Sequence, residues 1–319
     1  MLTVHAHAKI NLALAVLGKR SDGFHEIRSV FQTISLADRV SLSFERKRQT
    51  SVAVTCSVEI PGTNLAEKAA RAVLDALKLN GAVKIHIDKR IPMGGGLGGG
   101  STDAAAILLA LPRLAGKAVA PDRLKDIAVA LGSDVPFFLH GGCAVGGGQG
   151  EELYPLPDPK PVRGLLITPQ VHVSTKDAYA ALGRTEGALT SDRNFPILKR
   201  LQSLAWALEV RAPKAVWAAD CQNDFEEVVF RQYPVLQVLR RKLSRTGAAP
   251  ALMTGSGAAL FGLYDDAAAV QAAIVKLGAE KSVPFSFLSR TAYQSRWRRW
   301  LSSVGTTQNA LRPSQDHLG

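Results

Sequence analysis

Six glycines occupy the seven positions from 94 to 100, inside Ile91-Pro92-Met93-Gly94-Gly95-Gly96-Leu97-Gly98-Gly99-Gly100-Ser101-Thr102-Asp103. A stretch with almost no Cβ atoms can take positive φ and turn its amide N–H groups into one concavity, which binds anions. The preceding Val83-Lys84-Ile85-His86-Ile87 alternates apolar and polar residues as a strand does, and Asp103 to Leu109 continues as a buried helix. The local order is strand, glycine loop, helix. Ser101 or Thr102 falls near the helix N-cap, where unpaired amides and the helix dipole favour a phosphate, so the stretch predicts a polyphosphate site.

Three loops of this kind are distinguishable. Gly94-x-Gly96-x-x-Gly99 fits the dinucleotide fingerprint literally, but so many glycines match several spacings, and no strand with an acidic end follows about 20 residues on. A Walker A loop needs a lysine between its last glycine and the Ser or Thr, whereas Gly100 meets Ser101 directly. A turn that merely lets helix and sheet pack needs one or two glycines, not six.

A chain of 319 residues predicts two domains, and no apolar run reaches the length of a membrane span. No basic and apolar leader opens the sequence, so the expectation is a cytoplasmic protein. Cys56, Cys143 and Cys221 lie far apart and read as buried thiols rather than as a disulfide or zinc framework. The net charge of +12 fits either nucleic acid or an enzyme of polyanionic substrates. Five arginines against Asp316 concentrate part of that charge after residue 289.

Thr3 to Leu14 reads as a strand on which alternation places Lys9 and Asn11 on one face, with His5 and His7. A two-histidine metal site there lacks a carboxylate or cysteine partner, which favours plain strand histidines. Gly18 to Glu26 is a polar turn that carries Phe24 and His25; this pair either stacks on a planar base or packs back on the sheet. Asp38 to Thr55 reads as a hairpin around a charged turn, and Asn64 opens a helix through Leu77. Pro121 to Leu131 is a helix ended by Gly132, and Pro136 prevents its resumption, leaving Asp134 on a stiff turn as either a turn former or a site acid. His140 to Gly150 reads as a strand pair, and the alternate prolines from Pro155 to Pro161 mark a domain boundary.

The second half reads as a strand at Gly164–Pro169, a helix start at Ser174-Thr175 that leads to Tyr179, helices Ile197–Leu208 and Pro213–Phe230, a glycine segment Thr254-Gly255-Ser256-Gly257, a helix Ala267–Leu277 and a strand Val283–Leu288. Thr254 stands where a G-x-S-x-G elbow needs glycine, which disfavours a hydrolase. That order predicts an α+β sandwich. Tyr293 to Leu301 mixes arginine with tryptophan; contact with a membrane surface or nucleic acid is one reading, and a short helix docking Trp297 and Trp300 on the body is the favoured one.

Ala8-Lys9-Ile10-Asn11-Leu12, the glycine loop from Ile91 to Ala105 and Gly132-Ser133-Asp134-Val135-Pro136-Phe137-Phe138 stand in one order, with Asn223-Asp224-Phe225-Glu226 and Thr254-Gly255-Ser256-Gly257 behind them. In these pieces the chain resembles the GHMP small-molecule kinases over about residues 1 to 288. The Lys9 motif, Gly23-Phe24-His25 and the Asp134 turn resemble the branch that phosphorylates a cytidine-diphosphate-linked polyol in non-mevalonate isoprenoid precursor biosynthesis. Thr102 replaces a usual second serine, and Phe24 a common tyrosine, keeping a stacking face but losing a hydrogen bond.

The resemblance implies a two-domain α+β GHMP kinase fold. Residues 1–158 would form the N-terminal domain with a left-handed βαβ crossover, 159–288 a C-terminal α/β sandwich, and 289–319 a basic extension. The active site would lie in the interdomain cleft. ATP, with Mg²⁺, would sit on Pro92, Gly94, Gly95, Gly96, Leu97, Gly98, Gly99, Gly100, Ser101 and Thr102, with Asn64 near the adenosine; no side chain is implied as a fixed metal ligand. Phe24, His25, Thr175 and Tyr179 would hold the cytidyl end, and Lys9, Asn11 and Asp134 the reacting hydroxyl, with Asp134 as base and Lys9 as its electrostatic partner. The implied activity transfers phosphate from ATP to the 2-hydroxyl of that polyol, by a monomer or homodimer with no nucleic-acid or membrane partner. The rivals are a homoserine- or mevalonate-type kinase, which needs no base-stacking pocket, and a non-catalytic RNA-binding protein, which leaves Lys9, the glycine loop and Asp134 unexplained.

Overall fold

Two long strands form the spine of the molecule in a computed structural model that describes residues 1–60, 62, 64–185 and 194–295. Strand β1 (Leu2–Lys19) and strand β2 (His25–Arg46) pair antiparallel over nearly their whole length, with register shifts at three places, one of them between His7 and Lys9. Both strands are apolar along continuous runs because both faces of the hairpin are covered.

Strand β3 (Ser51–Cys56), helix α1 (Leu65–Leu77) and strand β4 (Gly81–Asp88) follow. The expected hairpin between Asp38 and Thr55 does not form: β4 inserts itself, antiparallel to the end of β2 and parallel to β3. Sequence adjacency misled there because α1 returns the chain between its flanking strands. The glycine loop then leads into helix α2 (Gly99–Leu114), and helices α3 (Pro121–Leu131) and α4 (Val135–His140) cover the same face. Pro136 does not block a helix but sits in the first turn of α4, where its missing N–H costs nothing. Strands β5 (Cys143–Gly147) and β6 (Glu152–Leu156) pair with each other, β5 also lying against the first part of β2; only β5 falls inside the expected His140–Gly150 pair, because the glycines at 148 and 150 form the turn and β6 takes up the start of the proline-rich stretch.

Strands β7 (Arg163–Ile167), β9 (Ala251–Met253), β10 (Leu260–Tyr264) and β11 (Ser282–Ser286) form a second sheet in the order β11-β7-β10-β9. Helices α5 (Thr175–Leu182), α6 (Asn194–Glu209), α7 (Lys214–Trp217), α8 (Phe225–Gln232), α9 (Pro234–Ser244) and α10 (Ala267–Leu277) also belong to this half, with a 3₁₀ turn at Ala218–Asp220. The expected helix from Pro213 to Phe230 is interrupted by strand β8 (Gln222–Asn223), which pairs parallel with Ala13 and Leu14 of β1. The gain is a set of side-chain bonds: Asn223 Nδ2 donates to the Met253 and Gly255 carbonyls, and its Oδ1 accepts from the Phe225 amide. Helix α9 carries no sequence expectation above.

Period-two alternation on β7 and β10 sorts their side chains between two cores. Leu166, Phe261 and Leu263 face Ile10, Leu12 and Ile34 of the spine, while Leu165, Ile167 and Leu260 face helices α8 to α10. A third core lies between the spine and α1 to α4. Residues 290–295 are helical and belong to the body: Arg290 Nη2 donates to the Cys143 carbonyl, and the buried Tyr293 donates its hydroxyl to the Phe138 carbonyl. Trp297 and Trp300 lie outside the described residues. Among those described, no helix is long and apolar enough to cross a membrane.

Candidate active site

The glycine loop is shaped by what packs behind it. The N-cap of α2 is Gly98, in the left-handed conformation at φ 71°, not Ser101 or Thr102, which fall inside the first turn and a half. A Cβ at Gly98 would lie 2.7 Å from the Phe138 ring and 3.4 Å from Lys9 Cγ, and one at Gly96 would lie 2.3 Å from the Thr254 carbonyl. Glycine at 96 is therefore what lets the loop lie backbone to backbone against the turn after β9, and glycine at 98 leaves room for the Phe138 ring and the Lys9 stem. The loop lines a cavity of about 260 Å³ with Asn64, Lys89, Pro92 and Asp103; Gly94 to Gly100, Leu97 included, form its wall. Asn64 spends its Oδ1 capping α1 at Ala66 N, 2.9 Å away. Ser101 and Thr102 do not line this cavity, and Thr102 is buried, its hydroxyl without a hydrogen-bond partner in the structure.

One end of the loop is tied to a buried carboxylate, Asp38, and Lys89 carries the tie to a second, Asp103, beyond the other end. Asp38 Oδ1 accepts from the amides of Arg90 and Ile91 at 2.6 and 2.7 Å, and its Oδ2 takes the Lys89 ammonium, which also donates to Asp103 Oδ2 at 3.0 Å. Asp103 stands on α2, so the cluster closes the loop across its base. Burial works against the Lys89 charge, yet Asp103 and Asp38 overcome it and raise its pKa. Burial also raises the Asp103 carboxyl, to about 7, opposed by Lys89 and reinforced by Asp38. Sequence patterns did not point to Lys89 or Asp38 as site residues, because their partners stand 14 to 53 positions away and meet only in the fold.

Lys9 comes from the middle of β1. Its ammonium is 2.9 Å from Asn11 Oδ1, 3.4 Å from Asp134 Oδ2 and 5.3 Å from the centre of the Phe31 ring. Asn11 is almost wholly occupied: Oδ1 also accepts from Thr254 Oγ1 at 3.1 Å and Gly255 N at 3.0 Å, and Nδ2 donates to Ser29 Oγ at 2.8 Å. Asn11 thus orients Lys9 rather than presenting a free amide. The Asp134 side chain keeps 31 % of its surface accessible while Lys9 keeps 4 %, an arrangement with one wet partner and one dry one. His5 and His7 do not join them: the register shift between His7 and Lys9 breaks the alternation, and His7 is buried against Tyr293, with ring centroids 5.9 Å apart. Among the described residues no three His, Cys, Asp or Glu side chains gather as a metal site.

On the other side lies a larger cavity of about 670 Å³, bordered by Phe24, His25, Ser133, Gln149, Thr175 and Tyr179, with Lys19, Lys176 and Arg184 also on its wall. His25 stacks on Tyr179 with ring centroids 4.6 Å apart, while the Phe24 ring stands free with 57 % of its surface exposed. Burial, helped by the Asp134 charge, lifts the Tyr179 phenol to about 12, so it stays neutral; burial and Lys19 lower His25. Lys9 borders Gly98 of the first cavity, and Ser133 of the second adjoins Asp134, so the ion pair stands between the two. Of the candidate site residues read from the sequence, Ser101 and Thr102 line neither cavity, and Thr102 is buried. Gln149 carried no sequence signal beyond its place among glycines.

The described geometry has relatives. The GHMP kinases N terminal domain matches residues 64–142, and the GHMP kinases C terminal matches 204–282. A 4-diphosphocytidyl-2-C-methyl-D-erythritol kinase of Solibacter usitatus is 48% identical over 305 residues, 94% of each chain. A crystal structure of 4-(cytidine 5'-diphospho)-2C-methyl-D-erythritol kinase is similar with a TM-score of 0.73 at 34% identity, covering 90% of this chain and 99% of that one. A homoserine kinase from Cytophaga hutchinsonii shares the fold alone, with a TM-score of 0.70 at 19% identity over 90% and 94% of the two chains.

Two substitutions test the loop. Gly98→Ala combines a left-handed backbone with a clash against Phe138 and is expected to cost about 3 kcal/mol by urea unfolding. Gly23→Ala, also at positive φ but with open space around it, costs about 1 kcal/mol; equal losses would remove the packing argument. For Asp103 the folded pKa lies above the ordinary carboxyl value of about 4. Its contribution to stability is fully present below that value and is lost as pH rises through about 7. Asp103→Asn removes that slope, so the variant should lose on the order of 1 kcal/mol less than the wild type between about pH 5 and about pH 8. Parallel stability curves would contradict the assignment.

Proposed function

This chain belongs to the GHMP kinases, and we propose that it transfers the γ-phosphoryl group of ATP to the 2-hydroxyl of 4-diphosphocytidyl-2-C-methyl-D-erythritol, giving the 2-phosphate and ADP. The observation that carries the reading is the Lys9–Asp134 pair standing between an anion-shaped glycine cavity and a larger cavity with a free aromatic face. Two cavities of different chemistry that meet at one ion pair suit two substrates that must react with each other. The second is large enough for a nucleotide-linked substrate, which homoserine and mevalonate are not. We assign the nucleotide to the first cavity, the cytidyl end to Phe24, His25, Thr175 and Tyr179, and the work to the cytoplasm.

An alcohol must attack the γ-phosphorus in line, and the catalytic gain comes from positioning and from neutralising charge. The loop amides and the start of α2 hold the phosphates in the first cavity. Asp134 lies on the accessible side of the pair and accepts the hydroxyl proton as the O–P bond forms. A carboxylate is a weak base toward an alcohol, so the transfer comes late, and the Lys9 ammonium stabilises the developing alkoxide. Asn11 keeps that ammonium aimed. Mg²⁺, when bound, would neutralise charge on the phosphates; no side chain is a fixed ligand for it, and the Asp134 carboxylate is the hard oxygen donor that the accessible side of the ion pair would offer. The domain division at the prolines after β6 follows the same reading.

Mg²⁺-dependent ADP release with the cytidyl substrate, beside homoserine, mevalonate and no acceptor, tests the assignment. Release with the cytidyl substrate alone is expected, and release with another acceptor would move Phe24 and His25 to a structural role. Asp134→Asn should lower kcat by about 100-fold or more and leave the KM for ATP within about threefold; near-normal turnover would remove the base.

A further inference from the structure

A third cavity, of about 160 Å³, lies where α3, α4 and the β5–β6 hairpin meet the segment after β11, and it shares no lining residue with the two described above. Most of its wall is apolar, made by Phe137, Leu139, Ala144, Leu153 and two prolines, with Phe137 and Ala144 buried. An apolar cavity of about 150 Å³ takes up one benzene molecule, so this one has room for a hydrocarbon group of about five carbons.

The charge around it is unbalanced. Lys125, His140 and Arg290 line the cavity against a single carboxylate, Glu151. Glu151 is spent on its own turn, where Oε2 accepts from the Gln149 amide at 2.7 Å. The Arg290 guanidinium is held by three carbonyls. Nε donates to Gly141 at 3.3 Å, and Nη2 to Cys143 at 2.6 Å and Leu156 at 3.3 Å, which leaves Nη1 without a partner among the described residues. Asp158 stands behind this arginine but does not line the cavity, and both its oxygens accept from the Arg290 backbone amide at 2.8 Å. Lys125, on α3, makes no ion pair with a described residue. Burial, Arg290 and Lys125 all lower the His140 pKa, and no acid opposes them there. The three nitrogen-bearing groups thus crowd one another at the edge of an apolar pocket.

Such a pocket fits an organic anion with a short hydrocarbon body. A phosphate monoester carries a charge of about −1.5 to −2 at pH 7 and three acceptor oxygens, which answers two cations, whereas a carboxylate neutralises only one. We infer that this cavity is a further ligand site, for the phosphate monoester of a short apolar alcohol, with the hydrocarbon against Phe137 and Leu153 and the phosphate oxygens toward Arg290 Nη1, Lys125 and His140. The site stands apart from the glycine loop and from the Lys9–Asp134 pair, and it does not rest on the kinase reading.

Isothermal titration of the full chain with n-pentyl phosphate, methyl phosphate and inorganic phosphate separates the apolar half of the site from the charged half. n-Pentyl phosphate should bind at least about tenfold more tightly than methyl phosphate, because its methylenes leave water. Lys125→Glu reverses an exposed charge and should weaken n-pentyl phosphate by at least about tenfold. Lys276→Glu makes the same change on α10, at a position that is also exposed, and should leave the affinity within about twofold. ADP with Mg²⁺ should not displace the ligand. Equal affinity for the pentyl and methyl esters, an affinity that Lys125→Glu leaves untouched, displacement by ADP, or no measurable binding of n-pentyl phosphate would each overturn the inference.

Discussion

A single carboxamide oxygen, Asn11 Oδ1, joins the two sheets of this molecule beside the Lys9–Asp134 pair. It accepts from the Lys9 ammonium in the same strand and from the hydroxyl of Thr254 and the amide of Gly255 in the turn after β9, which belongs to the other sheet. The Asn11 amide completes the exchange by donating to Thr254 Oγ1 at 3.0 Å. All of these groups are buried, so each bond avoids the desolvation penalty that an unmet donor would incur. Removing any member leaves others without partners, which is why the arrangement behaves as a unit.

Around that knot the packing admits little variation. The glycine loop approaches the Thr254–Gly255 backbone too closely for any Cβ at Gly96, and Lys9 N donates to the Leu97 carbonyl at 3.1 Å, so loop, spine and turn share one position. Asp38, Lys89 and Asp103 fix the base of the same loop from the opposite side. A loop held at both ends would lose little conformational freedom on binding the phosphates proposed for it. The ammonium of Lys9 is likewise buried and oriented before any substrate arrives, the condition under which a charge acts most strongly on a developing anion.

The sequence displayed the pieces whose signal is local. Strand alternation at residues 83–87, the glycine run, the Asn64 cap and the Ser174 cap on α5 are each written within a few residues and stand in the structure. What it did not display depends on partners far away. β4 separates β2 from β3 only because α1 carries the chain back. Gln222-Asn223 becomes a strand because β1 offers an edge and three backbone groups need an amide. Asp38 and Lys89 look like ordinary charges at strand ends until the fold buries them together. Lys9, Asp134, Phe24 and His25 were legible through the motifs that hold them, whereas Gln149 was hidden in a glycine cluster whose turn gave no hint of facing a cavity.

The most direct test of this account is the rate of phosphoryl transfer in a single turnover by Thr254→Val. Thr254 is buried and lines neither cavity, and valine matches its shape, but the variant can neither donate to Asn11 Oδ1 nor accept from the Asn11 amide. If Asn11 positions Lys9 through this knot, the transfer rate falls by about tenfold or more while the affinities for ATP and the cytidyl substrate stay within about twofold. An unchanged rate in a folded Thr254→Val enzyme would contradict the claim that the shared carboxamide positions Lys9 for the proposed transfer.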